Sequence, residues 1–209
     1  MNQLFDFFLN AYQNTPTSFI ILEAVAFVFG IASVWYAKKE NILVYPTGLI
    51  ATIITVYLLY KAEYFGDMMM NFYYSVMSIY GWWNWSRKKN NKVLVPISRT
   101  TSKEKIIGII LAIITMIVTY GVYRYFGNEI KTENYLDIFT SGIFFTAMWF
   151  MANKKLENWT LWIFADLITV PLYAYRGLGM LSLQYLIFTI LAIQGYITWK
   201  KSLVKNLST

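Results

Sequence analysis

Cysteine and histidine are both absent from the 209-residue chain. Their absence removes disulfides, thiol nucleophiles, haem ligation, most zinc sites and imidazole acid–base catalysis together. No metal and no cofactor is expected, and only carboxylate chemistry is left to an enzyme. Charge is scarce too: 14% of residues are charged, against about a quarter in an ordinary soluble domain. What is present is apolar, with 57% hydrophobic and 19% aromatic residues and a positive mean hydropathy. This is the composition of a polytopic membrane protein. At about 20 residues per span, seven spans take roughly 140 residues and leave only short loops.

Residues 1–14 put Leu4, Phe5, Phe8, Leu9 and Tyr12 on one helical face, so a short amphipathic helix on the membrane surface is expected there. No basic segment leads it, and a cleaved signal peptide is not expected. Seven spans follow, at about 18–37, 42–60, 64–85, 104–125, 135–152, 157–175 and 179–199. Of the 18 basic residues, 14 fall after spans one, three, five and seven. Only Lys61, Arg124, Lys131 and Arg176 fall on the other side. The positive-inside rule then puts the N-terminus outside and the C-terminus in the cytoplasm. The net charge of +7 is thereby a topology signal, and nucleic acid is not expected as a partner.

The loop 86–103 separates two halves that align without a gap at an offset of 114 residues. Trp35 falls on Trp149, Ala51 on Ala165, Ile54-Thr55-Val56 on Ile168-Thr169-Val170, Gly81 on Gly195 and Trp85 on Trp199. Spans one to three and five to seven run in the same sense, so an extra crossing must join them. Span four, Ile106 to Tyr123, has no charge and no tryptophan and fits that connector. The expected fold is all-α, a 3+1+3 arrangement with a parallel repeat about an axis along the membrane normal. Its parts are an interfacial segment (1–17), a first repeat (18–85), a loop and connector (86–134), a second repeat (135–199) and a cytoplasmic tail (200–209).

The sixth span carries the strongest chemical signal. Asn158, Trp162 and Asp166 are four residues apart and share a helical face, with Trp159 beside them. A carboxylate at membrane depth costs at least a few kcal/mol unless it serves a purpose, so binding outweighs packing for Trp162 with Asp166. Asn71 and Tyr74 on span three, and Gln184 and Tyr185 on span seven, complete the candidate lining. For Asn71 binding and packing stand level; for Ser78 and Gln194 packing is favoured. Trp83, Trp85 and Trp199 sit beside cytoplasmic cations and are expected in the interfacial belt. Glu23, Glu63, Asp67 and Asp137 lie towards outer span ends and are expected to be hydrated or to shape the entrance. Pro46 and Pro171 are expected to break the helical ladders of spans two and six. No lysine or arginine lies deep in a span, so nothing there would neutralise a phosphate. Indole faces, amides and one acid suit a neutral or cationic flat ring bearing hydroxyls.

Pro46-x-Gly48, "YFGDMMMNFYYSVMSIYGWWNW" at 64–85, "MWFMANKKLENWTLWIFADLITVPLYAYRGL" at 148–178 and the Tyr185…Gly195…Trp199 tail resemble the PnuC family of bacterial nicotinamide riboside transporters. The resemblance covers roughly residues 18–201. It implies a SWEET-like 3+1+3 fold, facilitated diffusion of a vitamin into the cell, trapping by a cytoplasmic kinase, and a homo-oligomer in the bilayer. It also implies a substrate motif W-N-W-x-x-W in span six, to which Asn158, Trp159 and Trp162 correspond. Glu157 replaces the motif's first tryptophan, and Asn71 stands where glutamine is common. The resemblance thus implies nicotinamide riboside as the small-molecule substrate, with Trp159 and Trp162 stacking on its ring. Asn158 and Asn71 would bind the carboxamide or ribose, Asp166 the hydroxyls or the positive charge, and Tyr74 and Tyr185 the flanks. A carrier of thiamine or another flat-ringed vitamin or nucleoside is the alternative on the same scaffold, and a membrane enzyme or scaffold is the second.

Overall fold

The computed structural model describes residues 15–61, 65–89, 92–126, 130 and 132–207. The surface helix expected at 1–14 lies outside them, as does Glu63. The described chain forms seven helices: α1 (Thr17–Lys38), α2 (Val44–Lys61), α3 (Phe65–Ser86), α4 (Ser102–Phe126), α5 (Thr132–Ala152), α6 (Glu157–Tyr175) and α7 (Gly179–Leu207). A small antiparallel ribbon, β1 (Lys88–Lys89) with β2 (Lys92–Val93), interrupts the loop after α3. The segment expected as a tail continues α7 to Leu207, because nothing between Thr198 and Lys205 breaks a helix.

α1, α2, α4, α5 and α7 are long and apolar enough to cross a membrane. α3 and α6 match them in length, with 22 and 19 residues, but are diluted by amides, hydroxyls and acids. α1 packs on α2 and α2 on α3; α5 packs on α6 and α6 on α7. The two sets meet where α1 lies on α7 and where α3 lies on α5, which closes six helices into a ring. α4 packs chiefly on α5 and turns Ile106, Ile110, Ile113 and Ile117 outward. An outward apolar face of this kind suits lipid.

The 114-residue offset recurs in the hydrogen bonds. α1 ends with Glu40 N–H on the Ala37 carbonyl and Asn41 N–H on Tyr36. α5 ends with Lys154 N–H on Met151 and Lys155 N–H on Phe150, each partner 114 residues on. Both ends are Schellman motifs, and their C′ residues, Glu40 (φ 55°) and Lys154 (φ 50°), are left-handed without being glycine. The two side chains meet as an ion pair at 2.7 Å. Around them the halves exchange bonds. Trp85 of α3 donates its indole N–H to Met151 at 3.2 Å, and Trp199 of α7 donates to Ala37 at 3.1 Å. Trp85 and Trp199 are therefore buried latches and not belt residues, because each donates to a helix-end carbonyl of the opposite half, as that carbonyl's second hydrogen bond. Trp83 remains exposed.

Behind the latches, Tyr45 packs on Gly81 and Trp159 on Gly195, again 114 residues apart. A Cβ on Gly81 would come within 2.3 Å of the Tyr45 ring, and one on Gly195 within 2.7 Å of Trp159. The missing side chains are what let these rings in. Pro46 sits in the first turn of α2, where its absent N–H leaves no helical bond unmade, so it does not break the ladder. Pro171 lies inside α6.

Candidate functional site

α6 starts at a turn that is held from outside. Ser98 bridges the turn backbone, with its N–H on Lys154 and its carbonyl accepting from Leu156. Glu157 Oε2 accepts the Thr100 N–H at 2.9 Å, and Lys155 pairs with Glu104 at 2.8 Å. Glu157 thus fastens the loop before α4 to the head of α6. At the other end Gly177, at φ +75°, closes α6 in a Schellman turn. There Arg176 grips Asp137 through both nitrogens, at 3.1 and 2.6 Å, and Tyr123 donates to the same carboxylate at 3.0 Å. Burial alone would lower the Arg176 pKa, and the Asp137 carboxylate outweighs it and raises it. Asp137 is consequently paired and half-buried, not a freely hydrated entrance group, because Arg176 at the α6 terminus reaches it.

Between these anchors α6 presents its stripe. Trp162 is half-buried, with Tyr74 of α3 at 6.1 Å and Phe144 of α5 at 5.4 Å between ring centroids. From Phe144 the rings continue to Tyr185 of α7 at 5.9 Å, and from Tyr185 to Tyr173 and Phe188. α3 and α6 are not neighbours around the ring of helices, so the Tyr74–Trp162 contact reaches across its interior. Tyr74, Trp162 and Tyr185 are thereby brought together.

Asn158, Trp159 and Asp166 are almost fully buried, at 0, 1 and 1% exposure. Asn158 donates its amide to the Lys155 carbonyl, but among the described residues its Oδ1 has no partner, nor has the Trp159 N–H. Both Asp166 oxygens are also without a hydrogen-bond partner. Groups left so in a native interior call for an explanation, since each forfeits its hydration. Trp159 does not join the aromatic chain; it is wedged against Gly195 with its edge on Trp199 at 5.4 Å. Asn71 is half-buried on α3, its carbonyl accepting from Ser75. Gln184 lies at the α1–α7 seam, its amide about where a Cβ on Gly30 would touch it, at 3.2 Å. Ser78 is buried beside Gly48, and Gln194 accepts from Lys38 at 2.7 Å.

Phe144 was not among the expected residues. Its signal was present in the repeat, because the equivalent first-half position is Gly30, and Trp162 likewise falls on Gly48. The second half thus carries rings at two positions where the first half carries glycines.

Residues 20–201 match the family described as nicotinamide mononucleotide transporter. The chain belongs to this family. It is accordingly a multi-pass membrane transporter that acts on a small molecule. Among its relatives, the nicotinamide riboside transporter PnuC of Escherichia coli (strain K12) is 24% identical over 204 residues, covering 87% of this chain and 85% of the relative. The nicotinamide riboside transporter PnuC of Neisseria mucosa is 28% identical over 200 residues, covering 88% of this chain and 73% of the relative. A solved structure, described as the vitamin B3 transporter PnuC, superposes with a TM-score of 0.68 at 26% identity. That match covers 86% of this chain and 80% of the other.

Proposed function

We propose that the protein carries nicotinamide riboside into the cell across a bacterial-type inner membrane. In this reading all seven helices span in a 3+1+3 arrangement, with the N-terminus outside and the C-terminus cytoplasmic. The repeated helix ends, the exchanged indole bonds and the loop charges support that arrangement and orientation. The observation that carries the substrate is the aromatic chain centred on Trp162, lying next to the unpartnered acid of Asp166 on a helix without a cation.

The family's description names a mononucleotide, whereas its relatives are named for a riboside. The phosphate decides between them. Every lysine and arginine on the described helices lies within about two turns of a helix end. The cations flanking α6 already serve carboxylates: Lys154 on Glu40, Lys155 on Glu104 and Arg176 on Asp137. A phosphate brought beside Asp166 would meet like charge and no counter-charge. Trp162 would stack on the pyridinium, Tyr74 and Tyr185 would flank it, and Asn158, Asn71 and Gln184 would reach the carboxamide or ribose. No ion-coupling pair suggests itself in the lining, so net uptake would follow from phosphorylation of the riboside inside. A homo-oligomer in the bilayer completes the reading.

A competition panel on purified protein tests the substrate. Nicotinamide riboside should displace labelled riboside well below the concentrations needed of its mononucleotide, thiamine or riboflavin. If thiamine or the mononucleotide displaces it better, the assignment is wrong.

A further inference from the structure

The two halves treat one equivalent position in opposite ways. In the first half it is Thr52, whose hydroxyl accepts from Ser75 at 2.8 Å and faces the Leu49 carbonyl at 3.4 Å. Nothing there is left open. In the second half it is Asp166, buried to 1% with both oxygens unpartnered, although Thr189 stands at the position equivalent to Ser75. The Thr189 hydroxyl turns instead to its own helix, donating to Tyr185 at 2.8 Å. A hydroxyl would have satisfied this packing, as Thr52 does. The acid has to be explained by something other than helix–helix contact.

A buried ionised carboxylate needs a positive partner, and among the described residues none is offered. Arg176 lies ten residues on, about 15 Å along the axis, and is held by Asp137. Lys154 and Lys155 lie a similar distance back and are held by Glu40 and Glu104. α3 and α5, which supply Tyr74 and Phe144, contain no lysine or arginine. Trp162 is one turn from Asp166 on the same face, so a flat solute stacked on the indole comes within reach of the carboxylate.

We propose that Asp166 is the specificity-determining counter-charge of the site, selecting solutes whose flat ring carries a delocalised positive charge over neutral rings of the same shape. The proposal rests on the reading of this site as the riboside site. It commits Asp166 to charge and not to hydroxyl binding. Amides, tyrosines and indoles would grip both kinds of ring; only the carboxylate separates them strongly, because desolvation strengthens its attraction for a cation. The second half then supplies the selectivity, and the first half, with Thr52, supplies a neutral wall.

The test compares nicotinamide riboside, a pyridinium cation, with its 1,4-dihydro form, which keeps the ribose and carboxamide but is neutral. Affinities of both are measured on purified wild type, Asp166→Asn and Asp166→Thr; the last installs the residue of the first half. Wild type should prefer the cation. Both variants should weaken the cation about 30-fold or more while leaving the neutral form within a few-fold. The retained neutral binding also certifies that the variants are folded, and either variant alone suffices. Equal weakening of both forms would assign Asp166 to hydroxyls or to structure and overturn the proposal. Parity of the two forms on wild type would overturn it while leaving the riboside reading intact. If wild type binds neither form, the riboside reading fails and this proposal with it.

Discussion

Trp162 is the residue on which the proposed site turns. It alone among the α6 stripe is both half-open and in contact with rings from two other helices. Trp162→Ala should lower riboside affinity about 10- to 100-fold, the usual loss when a stacking platform is removed, with expression and melting temperature little changed. Titration of the purified variant checks this, and unchanged affinity would move the site off α6. That Trp162 and Asp166 share a face, and that an acid lies at that depth, was legible from spacing alone. The difference between Trp159 and Trp162 was not. Both lie near one face in a helical projection, and only the packing of α7, with Gly195 opposite Trp159, separates the wedge from the platform.

At the scale of elements, the ends of α1 and α5 hold the halves together. Glycine is the usual residue in a left-handed C′ position, and these two carry Glu40 and Lys154 instead. The strain is tolerated because the side chains reach each other, and Lys154 also lies 4.6 Å over the Trp85 ring. Lys154→Met should lower stability by about 1–3 kcal/mol, less than for a wholly buried pair because Glu40 is about a third exposed. Melting in detergent checks this. Combining Glu40→Lys with Lys154→Glu should recover part of what either change alone loses. If the double variant is no better than the sum, the pair contributes nothing. Where these helices stop was legible, but their meeting was hidden, since a run such as "YAKKENILVY" states a charged turn without saying what it meets. The belt reading of Trp85 and Trp199 failed for a related reason. An aromatic followed by lysines looks alike whether it anchors in lipid or caps a neighbouring helix.

For the molecule as a whole, hydropathy made the helices legible, because it depends on composition and local order. The closed ring was not legible. It depends on which helix meets which, α1 on α7 and α3 on α5, and helix pairing in an apolar chain leaves little trace along the sequence. The aromatic chain across that ring inherits the same limit, as Phe144 illustrates.

In the proposed function the molecule is a passive path for nicotinamide riboside, driven inward only by what consumes the riboside. Purified protein in otherwise empty liposomes tests it directly with labelled riboside outside. The label should enter until the internal and external concentrations are equal, with no dependence on a proton or sodium gradient, and should accumulate further only when a riboside kinase and ATP are enclosed. Vesicles that stay unfilled, or that concentrate the riboside without a kinase, would contradict it.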